Sequence, residues 1–259
     1  MQKKNRKRGH AKRLLGITAL VLALLLVLAV GGFAVWALNP HQAQPRALRE
    51  ALDTPGVEVS TTDEAVVVTS THTPPDTGIV FYPGGRVAPE AYTAPWAEIA
   101  ADSAVRVVIP RMPLNLAVFD ADRADRAIAE HDGGVDEWYV GGHSLGGAMA
   151  ASHLGESTDD TVVGLVLWGS YATEGAGLAG REDLAVISVS GSRDGLSDPA
   201  TIEENRAHLP SDALMYEVSG MNHAQFGAYG EQAGDNPAAI SDDEAHHRLA
   251  DVMSGFLDG

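Results

Sequence analysis

The chain has 259 residues, 45% apolar, 20% charged and 6% aromatic, with a formal charge of −17 and no cysteine, values that describe one globular domain of about 200 residues with an appendage. They exclude disulfides, thiolate metal sites and a cysteine nucleophile. They also argue against a nucleic-acid partner, because no cationic stripe able to release phosphate counterions follows Arg13.

Residues 1–13 carry Lys3, Lys4, Arg6, Lys7, Arg8, Lys12 and Arg13 and no acid, whereas the remainder sets 11 basic residues against 35 acidic ones. No charge occurs over residues 14–38. A helix of that length, at 1.5 Å per residue, reaches about 37 Å and crosses a ~30 Å hydrocarbon core with tilt. Residues 14–38 are therefore expected to span a membrane, with the basic tail in the cytoplasm and the chain beyond Asn39 outside. The competing reading is a cleaved signal peptide with a small-residue site at Val35 and Ala37, although such apolar regions usually run about 7–15 residues. Cleavage would leave a secreted protein.

Residues 39–56 contain Pro40, Pro45 and Pro55 among polar neighbours and read as a stalk, with a short helix near Arg46–Leu52. The folded domain is expected over residues 57–259. Strand-like runs follow at Val57–Ser60, Ala65–Ser70, Gly78–Tyr82, Val105–Pro110, Glu137–Val140, Val162–Trp168, Leu184–Val189 and Leu214–Val218. Several are continuous apolar runs, as strands buried on both faces of a parallel sheet require. Helix-like stretches lie between them at Pro89–Ala101, Ala121–Glu130, Leu145–Leu154 and Pro199–His208. This alternation predicts an α/β fold with a mostly parallel central sheet flanked by helices. In the second stretch Asp122 and Arg126 are spaced as an i,i+4 ion pair. A last helix opens on a capping box, Ser241 with Glu244, and carries the apolar stripe Leu249, Val252, Met253, Phe256 and Leu257. His246 and His247 within it read as a solvated face and not as a metal site, because successive helical residues point about 100° apart.

Gly142-His143-Ser144-Leu145-Gly146 fits a sharp turn from a strand into a helix that leaves the serine hydroxyl exposed above the sheet, with glycines allowing close backbone approach. A serine hydroxyl is a poor nucleophile at neutral pH. A base must take its proton, and an acid must hold that base in the right tautomer. Asp194, in Gly191-Ser192-Arg193-Asp194-Gly195, follows one late strand, and His223, in Gly220-Met221-Asn222-His223, follows the next. Asp198 is the rival acid. Acyl transfer also needs two N–H groups aimed at the developing oxyanion. Gly85, in Pro83-Gly84-Gly85-Arg86, and the backbone of Leu145 are assigned that part.

Tyr82-Pro83-Gly84-Gly85, the segment from Gly141 to Gly147, Ser192-Arg193-Asp194-Gly195-Leu196 and Asn222-His223-Ala224-Gln225-Phe226-Gly227 together resemble the α/β-hydrolase superfamily, in particular its small dienelactone-hydrolase-like branch. The resemblance covers roughly residues 57–257. It implies the α/β-hydrolase fold and a serine hydrolase acting on carboxylic esters, with Ser144, Asp194 and His223 as triad. Ser144 stands where dienelactone hydrolases carry cysteine, which separates this chain from that particular substrate. Only residues 171–183 separate Trp168 from the next strand, too few for a helical cap, so an open acyl pocket lined by Tyr171, Met221 and Phe226 is expected. The chemistry needs no cofactor and no metal, and the partners expected are a small acyl substrate and the membrane. An acyltransferase of the same fold and a catalytically silent, membrane-displayed binding module are the alternatives.

Overall fold

The computed structural model of the chain describes residues 2–157 and 160–258, with side chains from Leu15 onward. Two compact units result, Met1–Asn39 and Pro40–Gly259. The first is a single helix, α1 (Gln2–Ala37). Its stretch Leu15–Ala37, of mean hydropathy 2.7, is long and apolar enough to cross a membrane.

The second unit is built on eight strands: β1 (Val57–Thr61), β2 (Ala65–Ser70), β3 (Thr77–Tyr82), β4 (Val105–Pro110), β5 (Glu137–His143), β6 (Val162–Trp168), β7 (Ala185–Gly191) and β8 (Leu214–Val218). They form one sheet in the order β1-β2-β4-β3-β5-β6-β7-β8. β1 and β2 run antiparallel to their neighbours, and the pairs from β4 onward are parallel. The helices are α2 (Pro45–Leu52), α3 (Thr93–Asp102), α4 (Arg123–His131), α5 (Leu145–Glu156), α6 (Pro199–Glu204) and α7 (Asp242–Leu257).

Side chains along β3 alternate between two cores. Ile79 and Phe81 join Trp96 and Ile99 of α3 and Leu249 and Met253 of α7. Val80 and Tyr82 join Ala124 of α4 and Ala150, Ala151 and Leu154 of α5 on the other face. Burial on both faces is why such strands read as unbroken apolar runs. The chain leaves β3 for β4 on one side and then recrosses to β5 on the other. The carboxyl ends of β3 and β5 therefore flank the point where strand order reverses, where open α/β sheets place their ligands.

The segment read as a stalk is a correction: the compact unit begins at Pro40, not Val57. The His41 N–H donates to the Arg86 carbonyl (2.7 Å), the Ala88 N–H to the His41 carbonyl (2.9 Å), and α2 packs against α3. Proline misled the reading, because Pro45 occupies the first turn of α2, where a missing N–H costs nothing. Three smaller differences are also side-chain matters. Arg126 pairs with Asp120 (2.6 Å) and not Asp122. Ser241 Oγ accepts the Glu244 N–H (3.2 Å), but the Glu244 carboxylate turns to Arg248, leaving half a capping box. His246 is buried against the core while His247 is exposed beside Glu98.

Burial holds the His246 imidazole below its ordinary value of 6.5, against the opposing pull of Asp242 and Asp243. The unfolded chain therefore takes up a proton as pH falls through that value while the folded chain does not, so stability is lost on acidification. His246→Gln should weaken the fall in melting temperature between about pH 7.5 and pH 5.5, measured by thermal unfolding of the purified full chain.

Candidate active site

Four loops leave the carboxyl ends of β3, β5, β7 and β8, and each carries a residue singled out by its local pattern. At the end of β5, Ser144 adopts φ 53°, ψ −125°, a region costing about 1–3 kcal/mol for a residue with a side chain. The turn closes because its flanks are glycine. A Cβ at Gly142 would lie 2.6 Å from the Gly146 carbonyl carbon, and one at Gly146 would lie 2.2 Å from the Tyr82 carbonyl oxygen. The Ser144 N–H donates to the Trp168 carbonyl (3.0 Å), and Ser170 Oγ donates to the Ser144 carbonyl (2.7 Å). Both bonds tie the strained turn to the end of β6.

Beyond β7, Asp194 is buried and its carboxylate is fully engaged. Oδ1 accepts the N–H groups of Leu196 (2.8 Å) and Ser197 (2.7 Å), and Oδ2 lies 2.7 Å from His223 Nδ1. His223, also buried, opens a short 3-10 turn (His223–Phe226) capped by Asn222. With Nδ1 held by a carboxylate, the imidazole presents Nε2 as its basic face. That Nε2 is buried and makes no hydrogen bond to any described residue, Ser144 Oγ included. The rival acid, Asp198, is exposed and spends its carboxylate on Thr201 as the cap of α6.

In the loop after β3, the Gly84 N–H donates to Tyr92 Oη (2.8 Å) and the Arg86 N–H to the Asn115 carbonyl (2.7 Å). Gly85 lies between them, and its N–H has no acceptor among the described residues. Leu145, first residue of α5, likewise has no acceptor there, as the first N–H groups of a helix must lack one within it. The two residues are neighbours: a Cβ on Gly85 would touch Leu145 Cδ2 at 3.4 Å and Leu116 Cδ2 at 3.6 Å.

Of the three residues expected to line an acyl pocket, Tyr171 is half-buried and directly follows Ser170, whose hydroxyl donates to the Ser144 carbonyl. Met221 and Phe226 are corrections. Both have 0% exposure and belong to the core, Phe226 lying 5.4 Å from the His143 ring and 6.4 Å from that of Trp168. Apolar character marked them, but hydrophobicity does not say which way a loop residue faces.

Two further features escape local patterns. Asp235 bridges the acid and base loops: Oδ1 accepts the Gly195 N–H (2.9 Å) and Oδ2 the Ala224 N–H (2.9 Å). In the loop after β4, Leu114 (φ 53°) and Asn115 (φ 55°) are left-handed, and the following turn (Ala117–Phe119) leaves Val118 53% and Phe119 52% exposed.

Residues 78–247 match the Alpha/beta hydrolase family, to which the chain belongs. No curated protein matches the sequence significantly. Among solved structures, carboxyl esterase 2 of Tuber melanosporum superposes with a TM-score of 0.61 at 13% identity, over 85% of this chain and 91% of that one. The esterase domain from a Rhodothermus marinus protein gives 0.57 at 11% identity, over 77% and 97%. A hormone-sensitive lipase from a metagenome library gives 0.55 at 17%, over 83% and 90%. The shared element is the α/β-hydrolase fold.

Asp235→Ala should leave the N–H groups of Gly195, Ala224 and Asn236 without acceptors and lower stability by about 1–3 kcal/mol in urea denaturation. An unchanged midpoint would show that the two loops are held independently of it.

Proposed function

We propose that the chain is a serine hydrolase that cleaves carboxylic esters through an acyl-enzyme, with Ser144 as nucleophile, His223 as base then acid, and Asp194 orienting the imidazole. The observation that carries this reading is the buried Asp194–His223 pair at 2.7 Å, its Nε2 without a partner among the described residues and its ring 4.4 Å from that of His143, the residue before the strained Ser144. His223 Nε2 takes the Ser144 proton as Oγ attacks the ester carbonyl. It then gives that proton to the leaving alcohol, and water regenerates the serine by the same route in reverse. The imidazolium formed in each step is stabilised by Asp194, whose second oxygen stays fixed by two backbone N–H groups.

Gly85 and Leu145 donate to the oxyanion. Elimination supports this pair, since the N–H groups on either side of Gly85 are already committed. The acyl chain lies against Leu116 and Leu145, whose side chains flank Gly85, and extends toward the exposed Val118 and Phe119. No helical cap stands between β6 and β7, where residues 169–184 hold one 3-10 turn (Glu174–Ala176), so the mouth is open to esters of varied alcohols. The apolar stretch Leu15–Ala37 serves as an uncleaved anchor with the hydrolase domain on the outer side, the seven cations before it remaining in the cytoplasm.

A fluorophosphonate probe should label the wild type and not Ser144→Ala, with esterase turnover falling by at least about 10⁴-fold in the variant. Equal labelling of both would remove Ser144 from the chemistry. Phe119→Ala should raise KM for octanoyl esters more than for acetyl esters, by roughly tenfold, in a chain-length series of p-nitrophenyl substrates.

A further inference from the structure

Directly below the proposed oxyanion loop lies a polar chain that the catalytic steps leave unused. Tyr92 is fully buried at the end of a 3-10 turn (Pro89–Tyr92), its ring packed among Phe81 and His143. Its Oη accepts the Gly84 N–H at 2.8 Å and lies 2.9 Å from His143 Nδ1. A backbone N–H only donates, so the assignment that gives the buried phenolic proton an acceptor is Oη donating to Nδ1. His143 therefore accepts at Nδ1 and, when neutral, carries its own proton on Nε2. The contact is tight on all three sides: a Cβ on Gly84 would lie 2.8 Å from His143 Nδ1 and 3.0 Å from Tyr92 Oη.

His143 is the residue before Ser144, and its ring lies 4.4 Å from that of His223. We propose that Tyr92 and His143 form a positioning pair: the Tyr92 hydroxyl ties the oxyanion loop at Gly84 to the nucleophile turn, and its proton keeps His143 neutral against the ring of His223. The pair touches no substrate, and the proposal rests on the serine-hydrolase reading above. A phenylalanine at 92 would fill the same space beside Phe81, so packing alone does not require the hydroxyl.

The electrostatic role follows from what surrounds His143. The groups facing it are Tyr92, Tyr229 at 6.4 Å between rings, Phe226, and His223 with Asp194 behind it. Burial pushes both phenols up, so they stay uncharged. Burial first, and then the nearby His223, hold His143 well below the ordinary imidazole range. When His223 takes the serine proton it becomes a cation. A second cation beside it in a poorly solvated interior would oppose that transfer, and a neutral His143 does not.

Tyr92→Phe in the full chain keeps the ring and removes the hydroxyl. Its kcat for a p-nitrophenyl ester should fall by about 10–100-fold with KM changed by less than roughly threefold. Fluorophosphonate labelling should slow in proportion. The acid limb of its kcat/KM profile should also steepen from one proton to two, because His143, freed from its donor, becomes able to titrate. A merely structural role would move neither the slope nor the kcat-to-KM split. Wild-type labelling kinetics and a single-proton limb in Tyr92→Phe would overturn the proposal. A failure of the wild type to label at Ser144 would instead overturn the hydrolase reading on which it rests. If Tyr92→Phe does not fold, ¹⁵N-histidine spectra of the wild type decide: the Nε2–H neutral tautomer at His143 across the active pH range supports the pair, and the Nδ1–H tautomer overturns it.

Discussion

Where β5 turns into α5, three backbone segments meet with no space for a side chain. The carbonyls of Tyr82 and Pro83 press on Gly146, and the start of α5 presses on Gly142. This steric constraint lets the chain reverse within one residue, and Ser144 bears the cost as a left-handed φ. It also brings the end of β3 against the amino end of α5. The same contact that shapes the serine turn thus sets Gly85 beside Leu145, two residues from different elements. The strained Ser144 turn and the Gly85–Leu145 contact are consequences of one packing event, not separate constructions.

The other half of the site rests on parallel strand register. β6, β7 and β8 deliver their loops side by side, and Asp194 and His223 meet across the β7 and β8 ends. Asp194 is held from its own loop by the N–H groups of Leu196 and Ser197, so its orientation is local. His223 is held from outside its loop, by Asp194 at Nδ1, and its turn is braced by Asp235 through Ala224. Asp235 also holds Gly195, so one surface carboxylate keeps the two loops in step. Tyr92 plays the matching part on the other side, joining the loop after β3 to the turn after β5. Cross-loop hydrogen bonds of this kind suit a site whose groups come from segments over a hundred residues apart.

Legibility divides along those lines. The eight strands and the loops bearing Ser144, Asp194 and His223 were readable because burial on two faces and glycine-rich turns are local properties. Asp194 and Asp198 both follow β7 and look alike within a short window. It is burial and the His223 contact that separate the two, since Asp198 has the ordinary duty of a helix cap. Asp235, Leu116 and the Tyr92–His143 contact carried no local signal, each depending on a neighbour distant in sequence. Met221 and Phe226 were misplaced for the converse reason: apolar residues beside a site suit a pocket and a core equally. The proline-rich run before β1 misled likewise, because proline marks a linker and a helix start with the same residue.

The sequence by itself determined the order of strands and helices, the apolar amino-terminal stretch, and the four loops where chemistry was to be sought, because hydrophobic period and turn-forming residues act over a few positions. Only the tertiary structure decided which side chains meet: that Gly85 lies beside Leu145, that Asp194 holds His223, and that His143 lies against His223 while His246 is buried. Those contacts depend on sheet register and interior packing. Both are set by residues far apart in the chain, and no short window contains both partners.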